Sequence, residues 1–146
     1  MATVDNKEKA RGKHRDQNIK KWGRNVHDKG WVYVPNLLID HQAELGLSPI
    51  QMNILLVLMR YWWDQLPHPG VARIGKTIGR GKSTIRSHIR EMENAGLLDR
   101  QYRSSVKLNS QTNKYDFTGL VQRLQTIEQN LEALARKEKT NERDIP

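Results

Sequence analysis

Residues 71–99, VARIGKTIGRGKSTIRSHIREMENAGLLD, restrict the fold more than any other stretch of the chain. Val71, Ile74 and Ile78 recur at helical spacing, a glycine-bearing break follows, and Ile85, Ile89 and Met92 resume the same rhythm. The pattern predicts a short helix, a tight turn and a longer helix over 82–95, each burying one face. Ala95-Gly96 stops the second helix, and an apolar strand start follows. The other face of the second helix carries Lys82, Ser83, Arg86, Ser87 and Arg90. A helix that is dry on one side and cationic and hydroxylated on the other suits a DNA major groove. There Arg and Lys read guanine edges, and short hydroxyls reach phosphates.

The charge distribution points the same way. The 146-residue chain has a formal net charge of +9. Residues 1–29 hold nine basic against four acidic residues, and residues 71–107 hold nine against three. The intervening 30–70 has one against three, while 108–146 is balanced at six each. Positive charge gathered on two segments is the footprint of a polyanion binder. The chain has no cysteine, which excludes disulfides, thiolate metal sites and cysteine nucleophiles and is compatible with a reducing cytoplasm. No apolar run approaches the roughly 20 residues a membrane helix needs, and the N-terminus lacks a secretory signal's apolar stretch. A cytoplasmic, nucleoid-associated protein with no membrane partner is expected.

Residues 1–29 are polar with scattered apolar positions, the composition of a flexible basic arm. A domain is expected over 30–118. Within it Trp31-Val32-Tyr33-Val34 predicts a short strand stopped by Pro35-Asn36, and Leu37, Leu38 and Ile39 begin a short helix. Ser48-Pro49 is a capped helix start, and the helix is expected to run from Ile50 to Trp63, with Ile50, Ile54, Leu55, Leu58, Tyr61 and Trp62 on its apolar face. After Gly96, Leu97–Tyr102 and Asn113–Phe117 flank a basic polar stretch and predict a β-hairpin. In 119–139, Leu120, Leu124, Ile127, Leu131 and Leu134 alternate four- and three-residue steps, the seam of a short coiled coil that would make a homodimer. The alternative is one amphipathic helix packed on its own domain. Residues 140–146 are expected to be a frayed tail.

These elements, in this order, resemble the winged helix-turn-helix domains of bacterial, plasmid and phage regulators and replication-initiation proteins. Val34-Pro35-Asn36-Leu37-Leu38 resembles the family's opening motif, Leu47-Ser48-Pro49 its helix start, and Ser83-Thr84-Ile85-Arg86 with Met92–Leu98 its recognition helix and approach to the wing. The resemblance implies a mainly α fold with a small β-wing and an added C-terminal amphipathic helix. Members commonly place an apolar residue and a serine cap before the recognition helix, where this chain has Arg80 and Gly81; a small residue of the preceding helix is matched by Gly75. Double-stranded DNA is the partner implied, alongside transcription or replication proteins. Its contacts are expected from Arg80, Lys82, Ser83, Thr84, Arg86, Ser87 and Arg90, with Arg100, Arg103 and Lys107 on the wing.

Other chemistries are weaker. Gly70–Thr77 satisfies a phosphate-loop pattern, but Pro67 and Pro69 precede it where that loop needs a buried strand. His14, His27, His41, His68 and His88 show no metal-ligand spacing, although His88, one turn beyond Thr84, is a candidate phosphate contact. Trp31, Trp62, Trp63 and Tyr61 are read as core packing rather than as stacking platforms for single strands. No catalytic motif is recognised, and neither an enzyme nor a cofactor is expected.

Overall fold

Ser48 and Gln51 start the helix around which the domain is built. In this computed structural model, which describes residues 2–102 and 113–143, the Ser48 hydroxyl accepts from the Gln51 amide at 3.2 Å. The Gln51 side-chain oxygen accepts from the Ser48 amide at 2.9 Å. This reciprocal cap, with Pro49 in the first turn, opens α4 (Pro49–Met59). Ile54, Leu55 and Leu58 are fully buried. The helix ends four residues before the expected Trp63. The Tyr61 and Trp62 amides turn back to the Leu58 and Met59 carbonyls at 3.0 and 3.1 Å, and the Trp63 indole N–H donates to the Arg60 carbonyl at 2.9 Å. These bonds satisfy carbonyls that a further helical turn would have used.

The chain divides into two compact units, Met1–Val32 and Tyr33–Pro146. In the first, the segment read as a basic arm is helical: α1 (Ala2–Trp22) is followed by the single turn α2 (Arg24–His27). Residues 7–17 are exposed throughout. Ala, Lys, Arg, Glu and Gln supply the helix propensity, no proline interrupts, and Lys20 and Lys21 complement the dipole in the last turn. Composition speaks to burial and not to local backbone preference. Trp22 and His27 meet Trp31 at ring-centroid distances of 6.2 and 5.5 Å.

In the second unit, α3 (Asn36–Asp40) delivers Leu38 to the core. The strand expected over Trp31–Val34 is absent, because the residues have no neighbouring strand to pair with; the described sheet contains only β1 (Asp99–Gln101) and β2 (Lys114–Asp116). These are antiparallel, with Arg100 opposite Tyr115, and their other edge is anchored where the Tyr115 amide donates to the Pro67 carbonyl at 2.9 Å. Phe117 is fully buried and carries Trp62 stacked on it at 4.5 Å.

The final helix, α7 (Thr118–Arg143), is longer than expected, and 140–143 continue it in place of the frayed tail. The Asp116 carboxylate accepts from the Thr118 amide and hydroxyl at its start, which holds that carboxyl below the usual carboxylate range. Of the expected coiled-coil seam, Leu120 and Ile127 are buried in the chain's own core and Leu124 packs against it, whereas Leu131 and Leu134 are exposed. The first two turns of the seam are therefore occupied within the chain.

The α5 (Val71–Ile78) to α6 (Lys82–Asn94) turn depends on Gly75. A methyl there would lie 2.5 Å from the Arg80 carbonyl oxygen, while the Arg80 amide donates to the Gly75 carbonyl at 2.9 Å. Gly75→Ala is expected to lower stability by about 1–3 kcal/mol. The check is a fall in the urea unfolding midpoint with an unchanged denaturant slope.

Candidate nucleic-acid interface

Gly81 is the N-cap of α6, with no side-chain hydrogen bond, so Lys82 is the first helical residue. This fixes the register of the helix. Ile85, Ile89 and Met92 point into the core at 0, 0 and 1% exposure. Lys82, Ser83, Arg86, Ser87 and Arg90 are all exposed, as the amphipathic pattern predicted, and Thr84 is half-buried at the border. Arg80 is exposed in the turn, with its guanidinium 3.2 Å from the Gly79 carbonyl. Seven of the ten expected contact residues thus lie along one helix and the turn before it.

The acidic residues of α6 are engaged elsewhere. Glu91 accepts from the Gln51 side-chain amide at 2.8 Å, so the residue that caps α4 also ties α4 to α6. Gln51 is 6% exposed and has both amide atoms bonded, which meets the requirement on a buried polar group. Glu93 receives two bonds from the Arg100 guanidinium, at 3.2 and 2.9 Å. Glu93 is thereby held at 21% exposure, whereas the Glu91 side chain, though bonded to Gln51, stays 58% exposed beside the cationic and hydroxylated stripe.

Arg100 corrects the expectation for the wing. Its side chain is 16% exposed, paired with Glu93, and lies 5.1 Å from the Tyr102 ring centre, so it fastens β1 to α6 rather than facing solvent. A bidentate, partly desolvated pair is a poor reservoir for a phosphate contact. Arg103 and Lys107 lie outside the described residues. Opposite Arg100, burial pushes the Tyr115 hydroxyl above its ordinary pKa, with Arg100 opposing that shift.

His88 turns inward. Its Nδ1 is buried without a hydrogen bond, 3.4 Å from the Glu91 carboxylate, so the ring packs beside the Gln51–Glu91 link instead of joining the outward stripe. Sequence reasoning missed Arg73 and Lys76, both exposed on α5. Their signal in the sequence is the spacing of cations at 73, 76 and 80. The phosphate-loop pattern has no loop here: Val71–Ile78 is helical, and the Thr77 hydroxyl donates to the Arg73 carbonyl at 2.8 Å. Among the described residues, no cluster of three His, Asp or Glu is disposed to hold a metal. No described helix is long and apolar enough to cross a membrane.

Residues 45–98 match the family model of a helix-turn-helix domain. With the β-hairpin behind α6, the assignment is direct. Residues 45–98 and the two strands behind them have the winged helix-turn-helix fold. Among solved structures, the N-terminal domain of the DnaD protein from Geobacillus kaustophilus HTA426 is similar. Its TM-score is 0.57 at 19% identity, over 84% of this chain and 96% of that one. At this identity the likeness speaks to fold alone. A transcriptional regulator aligns at a TM-score of 0.41 and 20% identity, over 73% of this chain and 69% of its own, too low to carry an argument. No curated protein sequence is similar to the chain at a significant level.

The winged helix-turn-helix assigns Arg100 a structural task, and that task is measurable. Arg100→Ala is expected to lower stability by about 1–3 kcal/mol by leaving Glu93 partly buried and unpaired. The Arg100→Ala, Glu93→Ala double variant should lose less than the two single losses combined, as read from a double-mutant cycle in urea.

Proposed function

We propose that this protein binds double-stranded DNA sequence-specifically and acts as a transcriptional regulator, with α6 in the major groove. The observation that carries this reading is the exposed stripe of Lys82, Ser83, Arg86, Ser87 and Arg90 on a helix whose opposite face is core and whose carboxylates are both bonded elsewhere. Lys82, Arg86 and Arg90 contact base edges and phosphates, Ser83 and Ser87 supply short hydroxyls, and Thr84 and Arg80 meet the backbone. Arg73 and Lys76 on α5 add phosphate contacts, as the first helix of such a pair crosses the backbone. The wing's Arg103 and Lys107 grip phosphates or the adjacent minor groove, and the cations of α1 add sequence-independent attraction.

Replication initiation or plasmid maintenance is the second reading, favoured by the fold likeness to a domain of DnaD over nearly all of that domain's length. In it the module marks an origin and recruits the proteins that open or copy it. A stable complex with a replication protein on an origin would distinguish it from simple regulation.

Selection from a random duplex library at near-physiological salt tests the proposal, because nonspecific phosphate attraction is weak there. Enrichment of a defined motif is the expected outcome. Salt-sensitive capture of an acidic protein with no DNA shift would instead identify a protein-interaction adaptor. On the enriched site, Arg86→Ala is expected to cost about 1–3 kcal/mol and to relax base preference, whereas Lys76→Ala weakens all sequences alike. Equal losses on every sequence from both variants would contradict the assignment of Arg86 as a reading residue.

A further inference from the structure

Away from α6, the second unit bears an apolar pocket of about 140 Å³ between α3, the end of α4 and α7. Tyr33, Leu38, Trp62, Trp63, Val121 and Leu124 are among its lining residues. Its rim is unusually bare: Tyr33 is 81% and Trp63 65% exposed, and their rings meet edge to face at 6.2 Å. The pattern of the Trp62–Trp63 pair thus splits. Trp62 packs on Phe117, and Trp63 faces solvent.

The same helix that lines the pocket also carries unpartnered apolar side chains. Leu124 is in the wall; Leu131 and Leu134, on the same four-and-three seam, are 44 and 57% exposed, and residues 128–141 are exposed throughout. The distance from Leu124 to Leu134 along α7 is about 15 Å at the helical rise. Pocket and protruding leucines are therefore fixed to one rigid rod and lie on one face of it.

We propose that the occupant of this pocket is a second copy of the chain, in a two-fold antiparallel pairing of α7 that seats Leu134 of each copy against Leu124 of the other. The register is self-consistent, since placing Leu134 beside the second copy's Leu124 also brings Leu131 beside its Ile127. A two-fold contact satisfies pocket and leucines on both copies at once. The area agrees. With aromatic side chains of about 150–250 Å² each, the bare rim and the two leucines expose on the order of 400–500 Å² per copy. Covered in full on both copies, this is about 1,000 Å², the size at which a specific interface begins. Charge agrees as well. Two chains of +9 repel, and the excess lies in 1–29 and 71–107, whereas 30–70 is net negative and α7 offsets its cations with Glu128, Glu132 and Glu138. This face is where two copies approach with least opposition.

The seam read from sequence thus has a different use. Leu120, Leu124 and Ile127 hold α7 to its own domain, and Leu131 and Leu134 reach the neighbour. This association is independent of the DNA reading: a monomer that still selects a DNA motif overturns the pairing and leaves the α6 interface intact.

The test is the mass of the full chain in solution by light scattering and sedimentation over a concentration series, with no DNA present. Wild type is expected to be a dimer. Leu134→Glu and Trp63→Glu, both at exposed positions, are each expected to raise the dimer dissociation constant on the order of a hundredfold while circular dichroism stays native. Mixing the two variants should restore partial dimerisation, because one intact leucine then meets one intact pocket. A monomeric wild type overturns the proposal, as does a dimer that survives Leu134→Glu. A dimer lost with Leu134→Glu but unaffected by Trp63→Glu also overturns it, by assigning the contact to the helix tips alone.

Discussion

The close approach of Gly75 to the Arg80 carbonyl is the constraint on which the rest of the domain depends. It lets α5 end and α6 begin within three residues, so Ile74 and Ile85 enter the same core and the outer side of α6 is turned to solvent as one uninterrupted stripe. A side chain at position 75 would push the turn outward, and the hydrophobic face of α6 would no longer settle onto α4. The geometry of the cationic face is therefore set by a hydrogen atom where other residues have a methyl.

Stability and surface chemistry are joined through two polar links. Gln51 caps α4 and holds Glu91; Arg100 holds Glu93 and fastens the wing. Each link adds a modest amount to stability, as hydrogen bonds to charged groups do. The Arg100 link also draws the Glu93 carboxylate away from solvent, to 21% exposure. Both acidic residues of α6 are tied to scaffold partners, Glu93 the more deeply, and the helix's cations remain outward.

Periodicity made most of this domain legible in the sequence. The buried stripe of α6, its exposed counterpart, the Ser48 cap and the hairpin behind Gly96 follow from spacing and local chemistry. What spacing did not show was which partner each residue finds at long range. Arg100 reads as a free wing cation until Glu93 is placed beside it, and Leu120, Leu124 and Ile127 read as a dimer seam until the domain core is seen to use them. The Trp31–Val34 stretch has strand-forming residues but no edge to join. In the N-terminal segment composition speaks to burial alone, while the helix follows from residues that favour one locally. Gly119 gives no signal in spacing either; a methyl there would collide with the Gly96 carbonyl oxygen, so α7 starts flush against the end of α6.

α6 and the turn before it are the surface proposed to meet DNA. Amide chemical-shift mapping of the full chain, titrated with its selected duplex, tests this most directly. The largest changes are expected at residues 80–90, with smaller ones at Arg73 and Lys76, and little change around Leu38 and Ile54 in the core. Changes gathered on Tyr33 and Trp63, with the amides of α6 unmoved, would contradict it.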